Sequence, residues 1–159
     1  IDGAWTEPET VHADGWEINA CPVNGPAMAA SGDHVALAWF TGADSSRVQL
    51  ALSDDGGATF GPPVPIDDGD PIGRVSVALL PSGDTVVGWL ERVEQEAVFR
   101  VRRMAPTGAR IETLDVATVD SGRASGIPRL VAIGHRVLAA WTDPGAAVPL
   151  QSAIVSLNR

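Results

Sequence analysis

The 159-residue chain contains no Lys and no Tyr and has a single Cys. One thiol excludes an internal disulfide framework and any Cys-x-x-Cys zinc site within the chain. Cys21 is left as a small buried hydrophobe, half of a disulfide to another segment, or a metal thiolate. All basic residues are Arg, and twenty acidic side chains outnumber eleven basic ones for a net charge of −9, which argues against a phosphate-tracking groove and so against nucleic acid as partner. No stretch approaches the ~18 apolar residues of a membrane span, and no charged-then-apolar signal segment opens the chain. The first residue is Ile1 instead of Met, as expected of a trimmed or excised piece.

What is present is apolar sequence cut short at regular intervals. Seventeen Gly and twelve Pro are scattered between short apolar runs, the punctuation of an all-β protein, and 45% hydrophobic residues suffice for a core. The chain also repeats. Ser31–Trp39, Ser82–Trp89 and Ile133–Trp141 each combine a Gly-containing turn, an apolar strand and a terminal Trp, and the Trp residues stand 50 and 52 apart. A period near 50 implies propeller blades of four antiparallel strands; a β-sandwich is the alternative.

The first unit reads as strands over 26–30, 35–40, 47–53 and 60–66, and the second over 75–80, 85–90, 97–104 and 110–116. The third reads as 129–133, 136–141 and 150–157, without a fourth strand. Trp5–Val11 resembles Phe60–Ile66 and is expected to be an outer fourth strand, where Pro is tolerated. The expected organisation is therefore residues 1–20 as the outer strand of a preceding blade, 21–69 and 70–120 as blades, and 121–159 as an incomplete blade. Three blades cannot close a ring, so the expected partner is a second copy or a companion half that completes a six-bladed propeller.

The turn Ser53-Asp54-Asp55-Gly56-Gly57-Ala58-Thr59-Phe60 matches the Asp-box, Ser-x-Asp-x-Gly-x-Thr-Trp/Phe, at every defined position. On this motif and the repeat, the chain resembles the Asp-box (BNR-repeat) sialidase-like six-bladed β-propellers of bacteria, as about a three-blade half. The resemblance implies a structural role for Ser53, Asp55, Gly57, Thr59 and Phe60, and a secreted or periplasmic setting. For catalysis it implies an Arg triad, a Tyr nucleophile activated by Glu, and an Asp acid/base. With no Tyr, this chain cannot supply that nucleophile.

Alternating strand direction puts the strand-two-to-three loops and the blade-to-blade connectors at one end. That end carries Trp16, Arg74, Glu91, Arg129 and Asp143, the candidate ligand face. Arg74 and Arg129 stand near the start of innermost strands, where two guanidinium forks can grip a carboxylate, or each can pair with a loop acid such as Asp70 or Asp120. Glu91 and Asp143 are the acids to consider for hydrolysis. Asp67, Asp68 and Asp70 around Gly69 offer carboxylates of the type that bind Ca²⁺, although the EF-hand's further ligands are missing and a solvated turn is the alternative. No other cofactor is indicated. The expected function is a non-catalytic scaffold or a module binding a glycan or small acidic ligand; the alternative is the carboxy-terminal half of a sialidase-like glycoside hydrolase.

Overall fold

The computed structural model describes residues 6–19 and 23–157. Trp5 and Cys21 lie outside the described residues. Eleven strands form three antiparallel sheets among those residues. The first sheet runs β1 (Ala27–Ser31), β2 (His34–Thr41), β3 (Arg47–Ser53) and β4 (Val64–Pro65) in spatial order. The second runs β5 (Pro71–Leu79), β6 (Thr85–Val93), β7 (Glu96–Met104) and β8 (Arg110–Val119) in the same way. The third contains β9 (Arg129–Ile133), β10 (Arg136–Thr142) and β11 (Leu150–Val155), with β10 in the middle. Each sheet is a meander of neighbouring strands, the blade pattern that the repeat requires.

Turn chemistry sets the register. Ser31 pairs with His34 and Ile133 with Arg136 across two-residue turns, whose Gly32 and Gly134 have φ of 60° and 57°. In the second sheet the Leu80 amide bonds to the Asp84 carbonyl, so that turn holds one residue more. The extra residue leaves the strands aligned: Trp39, Trp89 and Trp141 pair with Gln49, Arg100 and Gln151 at matching places. Fourth strands differ most from expectation. β4 shrinks to two residues because Pro62, Pro63 and Pro65 have no amide hydrogen to give a ladder. Residues 6–11 belong to no strand.

Alternation along β6 divides the core in two. Val87 and Trp89 face the first sheet, where they join Ala36, Ala38, Leu50 and Ile66. Val86 and Leu90 face the third, with Phe99, Leu130, Val137 and Ala139. Between them Gly88 lets the sheets approach: a Cβ there would stand 2.9 Å from Ser76 Oγ and 3.0 Å from both Leu130 Cδ1 and Phe99 Cε2. The middle sheet is thus buried on both faces, and Trp89 is 0% exposed.

The three Trp residues point the same way, each toward the preceding sheet. Trp89 packs on the first sheet, and Trp141 lies 6.0 Å from Phe99 of the second. Trp39 has no preceding sheet among the described residues and meets His12 (ring centroids 6.1 Å) and Asp14 instead. It is consequently only half-buried, as is Trp141.

Candidate ligand face

Arg74 sits in an irregular part of β5, where the register with β6 shifts on both sides of Gly73. Gly73 and Arg74 both have positive φ, 92° and 55°. A non-Gly residue there is strained and must be held. Asn24 holds it: its side-chain amide donates to the Ile72 carbonyl at 3.0 Å and accepts the Arg74 amide at 2.8 Å. The Arg74 side chain is thereby turned inward and only 6% of the residue stays exposed. One guanidinium nitrogen donates to the Ser121 carbonyl at 3.3 Å, whereas Nη1 is buried without a partner. Burial lowers its pKa, the charge of Asp120 opposes that effect, and nearby Arg123 adds to it.

Glu91 is also buried, 3% exposed. Its carboxylate accepts the Asp70 amide at 2.8 Å, the Asp68 amide at 3.5 Å and the Trp89 indole N–H. It pins the connector from the first sheet to the second. The three acids of that connector diverge. Asp67 accepts the Val48 amide at 2.8 Å, Asp68 binds Arg102 and Arg100 at 2.7 and 3.0 Å, and Asp70 stands 3.4 Å from Arg92. Burial raises the Asp68 pKa, yet the hydrogen bond from Arg102 and the charges of Arg102, Arg100 and Arg110 leave it below the usual carboxylate range. No group of three or more potential metal ligands forms among the described residues.

Asp143 shapes the β10–β11 loop by accepting the Gly145 amide at 3.0 Å. It lines a shallow cleft of about 460 Å³ with Gln95, Glu96, Thr118, Asp120 and Ser121. Arg129 opens β9 and is exposed. Trp16 stands elsewhere, edge-on to Phe40 with centroids 5.5 Å apart, in a groove with Trp39 on the open side of the first sheet. The five candidates are therefore divided: Asp143 lines the cleft, Trp16 the groove, Arg74 and Glu91 lie in the interior, and Arg129 is exposed on β9. No single pocket collects them.

At the opposite end, the Ser53–Phe60 turn is closed by its own side chains. Asp55 accepts the Thr59 hydroxyl at 2.6 Å, the Thr59 amide at 2.9 Å and the Ser53 hydroxyl at 2.7 Å. These bonds, led by the Thr59 hydroxyl, hold its pKa at about 2. Gly57, at φ 89°, donates its amide to Ser53 Oγ at 3.0 Å, and Phe60 is half-buried.

Sequence reasoning missed Asn24, the clamp on the Arg74 backbone, because the partners stand 50 residues apart. It also missed Arg102, which lies over the Trp89 ring at 5.2 Å and binds Asp68. The signal available was an Arg within an apolar strand facing an Asp-rich connector.

No family model and no curated protein matches the sequence. Among solved structures, the Hadza microbial sialidase Hz136 superposes with a TM-score of 0.53 at 13% identity, over 86% of this chain and 33% of that one. The Bombyx mori GH32 β-fructofuranosidase BmSUC1 gives a TM-score of 0.42 at 16% identity, over 85% of this chain and 34% of that one. The chain spans about a third of the length of either protein. With its sheets arranged as described, the chain has a sialidase-like all-β fold of about three antiparallel β-propeller blades.

Proposed function

We propose that this chain is a non-catalytic β-propeller module of the Asp-box, sialidase-like kind, belonging to a secreted or periplasmic bacterial protein, and that it binds a glycan at its loop-rich end. The observation that carries the reading is Glu91. One of the two acids that the sequence offers for hydrolysis, it is buried and holds two backbone amides and an indole, which argues against a role on a substrate. The sequence has no Tyr to act as a sialidase nucleophile. The cleft beside Asp143 has the mixed amide, hydroxyl and carboxylate lining that suits sugar hydroxyls. Its acids Glu96, Asp120 and Asp143 favour a neutral sugar over an acidic one.

A second reading, the carboxy-terminal half of a sialidase-like glycoside hydrolase, is favoured by the span of only 33% of the sialidase's length. A glycan array followed by NMR titration with the retained sugar tests binding. The expected result is a first response at the amides of Thr118–Ser121 and Asp143–Gly145, lost in Asp143→Asn. No retained glycan, or shifts confined to other regions, contradicts a binding role at this face.

A further inference from the structure

Each contact between sheets joins two different kinds of surface. A sheet presents its Trp side to the sheet before it and the other side to the sheet after it, as first-to-second and second-to-third packing both show. Among the described residues two such surfaces have no neighbouring sheet, the first of them bordered by His12, Asp14 and Trp16. The Trp side of the first sheet exposes Met28 beside half-buried Leu37 and Trp39. The far side of the third exposes Val131, Ile133, Leu150 and Ile154, at 57, 47, 73 and 54%. One open surface is of the incoming kind and the other of the outgoing kind, so each matches the other and neither matches itself.

Among the described residues the third sheet has three strands, with no counterpart of β4 and β8. Residues 6–11 match the β4 region in sequence. They form one wall of a groove whose other wall is Gly57–Phe60, the turn between β3 and β4. In the same way Val64 of β4 lies beside Gly108, in the turn between β7 and β8, 3.5 Å from where a Cβ on that glycine would be.

We infer that a second copy of this chain covers the open side of the third sheet, its first sheet packing there and its residues 6–11 running along β11 as a fourth strand. The same contact made in both directions closes a two-fold pair with no open blade face, on the scale of the ~1,000 Å² or more of a specific interface. The contact is not purely apolar: residues 6–11 carry exposed Glu7 and Glu9, and the third sheet carries exposed Arg129 and Arg136. The register follows from the first sheet. Gln49 and Gln151 are equivalent through their pairing with Trp39 and Trp141, and Gln49 faces Pro65. Thr10 matches Pro65 in sequence, so Thr10 of one copy faces Gln151 of the other.

Cysteine pairing in a Cys21→Ser background tests this arrangement. Thr10→Cys mixed with Gln151→Cys and oxidised is expected to give a disulfide-linked species of twice the 16.5 kDa chain, which neither variant gives alone. In sedimentation the unmodified chain is expected to run as a dimer. Val131→Glu with Ile154→Glu, both at side chains exposed in a single copy, is expected to halve its mass and leave its circular dichroism unchanged. A well-folded monomer of the unmodified chain, a ladder of higher oligomers, or a dimer in which Thr10→Cys and Gln151→Cys fail to link overturns the proposal.

Discussion

Arg102 lies over the indole of Trp89, 5.2 Å from the ring centroid, and its guanidinium also donates to Asp68, to the Ile66 and Asp67 carbonyls and to the Thr113 hydroxyl. One aromatic ring therefore joins the first and second sheets from both sides: its apolar surface fills their shared core, and its charged cover ties down the connector. Trp89→Ala is expected to destabilise the chain by about 3–5 kcal/mol, as truncation of a fully buried aromatic does. Trp39→Ala, at the equivalent but half-buried place, is expected to cost less in the fold. Urea denaturation of both variants checks the order, and equal losses contradict it.

Glu91→Ala removes the acceptor from the Asp70 and Asp68 amides and the Trp89 indole. Each buried donor left unsatisfied costs about 1–3 kcal/mol. Glu91→Gln keeps an acceptor oxygen and is expected to recover part of that loss. Amide exchange at Asp70 gives the local readout and should quicken in Glu91→Ala.

Gly88→Ala is expected to destabilise by about 1–3 kcal/mol, because the added methyl enters the contact of Leu130 with Phe99. Thermal unfolding measures the loss. A variant as stable as the parent contradicts the close packing of the second and third sheets.

The Asp55 carboxylate titrates at about 2 in the folded chain against an ordinary value of 3.8. A lowered folded-state pKa means that its contribution to the turn is complete above about pH 4 and is lost as the pH falls through about 2. The Thr59 amide shift, followed by NMR, should report a midpoint near 2. A midpoint near 3.8 contradicts the hydrogen-bonded turn.

Much of the architecture was legible because it is local. The glycine turns and the spacing of Trp39, Trp89 and Trp141 gave three antiparallel sheets, and the Pro residues of 62–65 shortened β4 for a reason already written in their missing amides. The ligand face was less legible. Arg74 and Glu91 are polar residues near strand ends, where exposure is the usual outcome; what turns them inward is Asn24 in one case and the Asp68–Asp70 connector in the other. Those partners are 50, 23 and 21 residues away, beyond the reach of periodicity or turn chemistry.

Turnover of a fluorogenic sialoside by the purified chain tests the central claim most directly. The account predicts release no faster than the buffer blank, unchanged by Glu91→Gln or Asp143→Asn. Release above the blank that either substitution abolishes would contradict it.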